Sequence, residues 1–465
     1  MTQSNKLSKA VLSAAWAIAL GAIAPMLDST MVNIAIDQLT KDFQTTLSTI
    51  QWAVTGYVLA LAIAVPIAGW LMNHFNGKKI FIGAVLLFGV TSVLAGISWN
   101  VTSFIAFRLL QGFTAGIITP LMSTLLVKTA GPENIGRVMA IVSTPMIFGP
   151  ILGPVLGGFI IQALCWRWIF FINVFIVLLA VPLMQRTLPN FEPFNPDSKL
   201  DIFGILDLSV MSAALIYGIT KAADHATFNN RESLIWTGLG FLLLISYILY
   251  DHQKQHATVL PLTIFSHKSF RAASIGLFFA NIAIMGPMLI LPLFFQNFRH
   301  FSAMEAAIAL IPQGLGMLIT RPLIGKLIDQ LGAKYVVLIS LIISLIGTIP
   351  LVFVTDHTSM FWIALILFVR GTSFGGINLP LTSDAYTGLT DEELPDAGVG
   401  INIIENLGSS FGSAMIATVV ASVLQAGTSI ANELAAYQAG FLVSVIMLAL
   451  VFIPGLFLTN KTKKL

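Results

Sequence analysis

Apolar residues run along this chain in blocks of about 20, the length at which a helix crosses a bilayer, and short polar clusters separate the blocks. Such runs lie near 11–36, 50–72, 80–97, 101–126, 138–161 and 168–185, then near 202–220 and 234–250. Six more lie near 271–296, 304–327, 335–354, 361–384, 398–425 and 438–458. The pattern predicts an all-α membrane protein of about fourteen transmembrane helices, joined by connections too short for a soluble domain. An even number of spans puts both termini on one side. With the N-terminus inside, inner loops and tails carry Lys78, Lys79, Lys128, Arg137, Lys326, Lys334 and their like, while outer loops carry Lys41, Arg167, Lys221, Arg231 and Arg299. The balance is about sixteen against five, so both termini are expected in the cytoplasm, and the expected location is the cytoplasmic membrane.

The pattern also repeats. Gly69-Trp-Leu-Met-Asn73 closes the second run and Gly325-Lys-Leu-Ile-Asp329 the tenth. Gly116-Ile-Ile-Thr-Pro120 in the fourth is echoed by Gly376-Ile-Asn-Leu-Pro380 in the twelfth. Matches eight spans apart predict two pseudo-symmetric six-helix halves, residues 1–190 and 256–465, with two inserted helices in 191–255. Related halves around a midplane site are a common plan for alternating access. Within the fifth run, Pro145, Gly149, Gly153 and Gly157 recur every four residues, beside Pro150, Pro154 and Gly158. On a helix they form one smooth stripe. It suits a close helix contact, either fixed or one that opens and closes.

Composition narrows the classes. Hydrophobic residues make up 56% and charged residues 10%, against about 25% charged in soluble domains, so the solvent is the lipid bilayer. The single cysteine, Cys165, excludes an internal disulfide framework and any multi-cysteine metal site. His252 and His256 share a ligand-like spacing, but nothing encloses them, and no metal or other cofactor is expected. A net charge of +3, well spread, gives no reason to expect nucleic acid. No removable signal peptide is expected, because no small-residue cleavage site follows a short apolar core. No clustered His/Asp or Ser/His set suggests an enzyme, and no Walker motif suggests a primary pump.

Several stretches resemble the major facilitator superfamily, specifically its fourteen-span drug:proton antiporters, over nearly the whole chain. Pro25-Met-Leu-Asp28-Ser-Thr-Met-Val-Asn33 looks like the family's first-span signature. Gly69 to Lys79, with Asn73, Gly77 and Lys78, is similar to its cytoplasmic gate motif, echoed by Gly325 and Asp329. Arg108-Leu-Leu-Gln111-Gly112 resembles its fourth-span arginine motif, and Trp166-Arg167-Trp168 to Asn173 the start of its sixth span. Gly149-Pro150 through Gly153, Pro154, Gly157 and Gly158 is similar to its fifth-span antiporter motif. The resemblance implies export of small lipophilic, cationic drugs in exchange for protons, by a monomer. The alternative is a proton-coupled symporter, or an exporter of one specific metabolite. Asn73 departs from the family, which carries an Asp there. The expectation is a first-half gate less firmly held, which Asn73→Asp would tighten.

Charges inside the membrane cost roughly 2.5–3.5 kcal/mol on insertion scales, so each needs a reason. Asp28 and Arg108 each lie about eight residues, or about 12 Å, from the outer end of their spans, so they can meet. The pair is either a permanent structural ion pair or a carboxylate that alternates between a proton and a cation. Asn402, Glu405, Ser409 and Ser413 make a polar stripe on the thirteenth span. Glu405 is then a second coupling acid, or a neutral group bonded to Asn378 or another polar neighbour. Asn33, Gln111, Asn378 and Asn402 are expected to line the cavity. Asp207 and Asp384 are weaker candidates, with Asp384 expected in water at the inner end of its span. The acidic run Asp391-Glu392-Glu393 with Asp396 reads as a solvated inner loop.

Overall fold

The computed structural model describes residues 8–131, 134–140, 156–161, 163–196, 200–255, 257–427 and 429–460. Among them are 13 helices long and apolar enough to cross a bilayer, and no strand. In chain order they are Lys9–Asp42, Leu47–His74, Gly77–Gly96, Val101–Ala130, Arg167–Thr187, Ile202–Asp224 and Arg231–Gln253. Lys268–Leu293, Ala303–Leu331, Ala333–Thr348, Met360–Ala385, Leu394–Gln425 and Ile430–Gly455 follow. The expected fifth span, 138–161, falls mostly outside the described residues, and with it Gly149, Pro150, Gly153 and Pro154.

The polar clusters between the runs work as caps. Thr46, Asn76, Asn100 and Ser429 each accept from a backbone N–H of the helix they open, a contribution of about 1 kcal/mol apiece. Ser302 and Glu305 form a reciprocal capping box. Its donors, the Ser302 N–H and hydroxyl, hold the Glu305 carboxyl below the usual range. Prolines such as Pro25, Pro120, Pro312 and Pro380 stand inside helices. That would be expensive in water but is tolerable where neighbouring helices take up the freed backbone groups. Arg231–Gln253 shows what faces lipid: Leu234, Ile235, Phe241, Leu242, Ile245 and Leu249 are all exposed.

The chain divides into two compact units. The first takes residues up to Ser209 together with Ala257–Leu260 and Thr390–Val399; the second takes Val210–His256, Pro261–Leu389 and Gly400–Leu465. In the first, Leu47–His74 packs chiefly on Val101–Ala130, which also meets Gly77–Gly96, and Lys9–Asp42 packs on Arg167–Thr187. In the second, Ala303–Leu331 packs chiefly on Met360–Ala385, which also meets Ala333–Thr348, and Lys268–Leu293 packs on Ile430–Gly455. The repeat seen in the sequence is therefore also a repeat of packing order.

Glycines set the closest of these contacts. Lipid tails are as apolar as leucine, so helices in a bilayer associate through close van der Waals packing. A Cβ added to Gly112 would stand 2.8 Å from Tyr57 Cα, and one on Gly371 would stand 3.0 Å from Gln313 Cα. Both positions bring backbone against backbone. By contrast a Cβ on Gly157 meets Met31 Cα at an ordinary 3.4 Å, and one on Gly158 meets nothing within 4 Å. Aromatic residues fill the rest: Phe43, Phe104, Trp166 and Phe170 interlock in the first unit, Phe294, Phe298, Tyr437 and Phe441 in the second.

Candidate functional site

In the first unit, Lys9–Asp42 and Val101–Ala130 bring Asp28 and Arg108 together. Arg108 Nη1 forms an ion pair with Asp28 Oδ2, and both side chains are buried, Asp28 completely. Arg108 Nη1 also donates to Gln111 Oε1 at 2.6 Å, and Nε donates to the Ala53 carbonyl at 3.1 Å. The guanidinium lies 4.3 Å from the centre of the Tyr57 ring, which disperses its charge over an aromatic face.

The second oxygen of Asp28 is held as firmly. Oδ1 accepts from Gln111 Nε2 at 3.1 Å and from Asn173 Nδ2 at 2.9 Å. Gln111 Nε2 also donates to Ser92 Oγ at 2.7 Å, and the Ser92 hydroxyl in turn donates to the Phe88 carbonyl at 2.8 Å. Two other helices thus supply the donors to this carboxylate, and Ser92 on Gly77–Gly96 ties those donors together. Sequence reasoning brought Asp28 and Arg108 together and expected Gln111 in the cavity lining, but assigned nothing to Asn173, Ser92 or Tyr57. Asn173 was legible as a polar residue in an apolar run; Ser92 and Tyr57 carried no signal.

Of the remaining predicted residues, Asn33 lies in Lys9–Asp42, and its side chain is outside the described residues. In the second unit Glu405 is half-buried and accepts from Thr382 Oγ1 at 3.3 Å. Thr382 takes the place suggested for Asn378, whose Nδ2 reaches Asn281 Oδ1 at 3.5 Å instead. The reason is register: Asn378 and Thr382 are one helical turn apart, and Glu405 stands level with the later of them. Asn402 is buried one turn before Glu405. Asp384 is not in water. It is buried and accepts from the Thr459 hydroxyl and, at 3.3 Å, the Thr459 backbone N–H, fastening the chain end. Asp207 is buried in Ile202–Asp224.

The residues of the Gly69–Lys78 stretch sit together at one end of the first unit. Gly77 N–H donates to the Phe191 carbonyl at 3.0 Å. Lys78 Nζ donates to the Gln185 and Leu188 carbonyls at 2.8 and 2.7 Å, capping Arg167–Thr187. A Cβ on Gly69 would come within 2.7 Å of Val399 Cγ2. Asn73 bonds to Asp396, in the first turn of Leu394–Gln425, and Lys128 pairs with Asp391. Asp391 and Glu392 are exposed, as expected of a solvated run, but Asp391 and Asp396 each have a partner in the first unit. In the second unit Gly325 is buried and Asp329 half-buried.

Comparison with known proteins agrees with this architecture. The chain is 30% identical over 401 residues to the multidrug export protein EmrB of Haemophilus influenzae, covering 86% of this chain and 78% of that one. It is 29% identical over 418 residues to a multidrug resistance protein B homolog of Mycobacterium tuberculosis, covering 90% and 77%. Among solved structures, the proton:xylose symporter XylE superposes with a TM-score of 0.67 at 16% identity, covering 95% of this chain and 96% of that one. The family profile described as Major Facilitator Superfamily matches residues 18–413, and the chain, a multi-pass membrane protein, belongs to that superfamily.

Proposed function

We propose that this protein is a proton-coupled antiporter that exports small lipophilic cations across the cytoplasmic membrane, with both termini inside. The observation that carries the reading is the buried Asp28, held by Arg108, Gln111 and Asn173 from two other helices. The names of its relatives, multidrug exporters at 27–30% identity, support the substrate class. A carboxylate with one cationic and two amide partners exchanges charge state when one partner shifts. Proton uptake at Asp28 frees Arg108 and any bound cation; proton loss restores the pair. Glu405 supplies a second acid, and Asn33, Gln111, Asn378 and Asn402 supply hydrogen-bonding groups for substrates. The stripe of Gly149, Gly153 and Gly157 acts as a close helix contact that shifts during the cycle, and the stretches around Gly69–Lys78 and Gly325–Asp329 hold the inner face shut.

The test is reconstitution of the full chain in proteoliposomes with an imposed pH gradient. Ethidium or tetraphenylphosphonium should accumulate on the acidic side and leak back when a protonophore is added. Accumulation that follows a sodium gradient and ignores the pH gradient would replace the proton with sodium, and no accumulation under either would remove the reading.

A further inference from the structure

The second unit holds a buried cation that the transport reading leaves without a task. Arg370 lies ten residues into Met360–Ala385, about 15 Å from its start, and is 1% exposed. Its Nη1 donates to Gln313 Oε1 at 3.0 Å, and its Cζ stands 4.6 Å from the Phe374 ring centre. Nε and Nη2 are buried with no hydrogen-bond partner among the described residues. These two atoms are not an arbitrary pair. They form the edge of the guanidinium whose N–H bonds run parallel, the edge that grips a carboxylate with two bonds.

The repeat sharpens the contrast. Gly112 seats Val101–Ala130 on the backbone of Tyr57, and Gly371 seats Met360–Ala385 on the backbone of Gln313. By this backbone contact Gln111 and Arg370, each one residue earlier, occupy corresponding places, one residue out of step with the echo of Gly116 in Gly376. Gln111 meets a carboxylate on Lys9–Asp42. The corresponding helix, Lys268–Leu293, contains no Asp or Glu. Among the acids of this unit, Asp384 is engaged by Thr459, and Glu405 bonds Thr382, about 18 Å further along the helix from Arg370. A guanidinium does not give up its proton, and two unmatched charged donors in a buried place are expensive. Phe374 offsets only a part.

We infer that Nε and Nη2 of Arg370, with Gln313 beside them, form a binding site for a planar oxyanion, namely the carboxylate of an amphiphilic transported molecule. This deepens the transport reading on which it rests, adding acid-bearing and zwitterionic amphiphiles to the cations. Gln313 orients the fork, and Phe374 covers one face of the guanidinium, so the ligand's carboxylate lies in the plane of the fork with its apolar part among the surrounding helices.

The experiment measures binding of 4-phenylbutyrate and of its methyl ester to the purified full-length protein by scintillation proximity. The acid should bind at least about tenfold more tightly than the ester, the scale of a charge-assisted pair. Arg370→Gln should erase that preference and leave ester binding within about twofold, and Arg370→Lys, which keeps charge but loses the fork, should fall between. Equal binding of acid and ester by the wild type would overturn the site even if Arg370→Gln fails to fold. So would an acid preference that survives in Arg370→Gln. Acetate tests the other source of the same chemistry: if acetate alone binds as tightly as 4-phenylbutyrate, the ligand is a small free anion and the substrate assignment fails. Cation accumulation under a pH gradient is measured on the same preparation. Its loss with the acid preference intact strikes the proposed function alone; the reverse pattern strikes the oxyanion site alone.

Discussion

Asp28 and Arg108 neutralise each other where neither would be stable alone, and this sets what a substitution does. Asp28→Asn strands the Arg108 cation, so export is lost and the unfolding free energy falls by about 3–5 kcal/mol. Asp28→Asn combined with Arg108→Gln removes both charges. It should regain most of that stability in a thermal melt but none of the gradient-driven export. Wild-type export by the double variant would reduce the pair to scaffolding. Glu405 differs because it has one neutral partner, Thr382, and no cation bound to it among the described residues. Glu405→Gln should therefore weaken export of a dication more than that of a monocation, and leave a neutral drug least affected. Equal losses for all three, in side-by-side vesicle assays, would mark a general folding or coupling defect instead.

Helix contacts in this fold turn on a few glycines, and two of them can be separated from the rest by where a methyl group would go. Gly112→Ala and Gly371→Ala push a Cβ into the backbones of Tyr57 and Gln313. Each should destabilise the protein by about 1–3 kcal/mol. Gly83→Ala and Gly238→Ala meet nothing within 4 Å, so better helix propensity should make them neutral or stabilising by up to about 1 kcal/mol. Detergent melting curves for the four variants decide it. Asn73 against Asp396 gives a different expectation for position 73 from the one drawn from the sequence. Asn73→Asp does not tighten this contact but sets a second carboxylate against Asp396. A cysteine at Thr124, whose hydroxyl donates to the Leu394 carbonyl at 3.4 Å, reports the opening once Cys165 is replaced by Ser. Asn73→Asp should label about tenfold faster, the equivalent of about 1.4 kcal/mol. The effect should shrink at low pH, where one carboxyl takes up a proton. Asn73→Asp with Asp396→Asn should restore the slow rate.

For the molecule as a whole, most of the architecture was legible because the bilayer makes it so: a span must be long, apolar and helical. The repeat was legible in two short echoes, Gly69–Asn73 with Gly325–Asp329 and Gly116–Pro120 with Gly376–Pro380. Asp28 and Arg108 were legible as charges at one depth. The bond from Asn73 to Asp396 was not, since it joins residues more than 300 positions apart, and an acidic run reads as solvated until its partners are seen. Arg370 was visible as a charge in a span, but its missing acid only becomes a fact when the neighbouring helices are known. The central claim is that protons and lipophilic cations move in opposite directions through one carboxylate. The most direct measurement uses proteoliposomes with a pH dye inside and no initial pH gradient, to which tetraphenylphosphonium is added outside. Inward movement of the cation should drive protons out and raise the internal pH, in the wild type but not in Asp28→Asn combined with Arg108→Gln. An unchanged internal pH while the cation enters through the wild type, or an equal rise in the double variant, would contradict it.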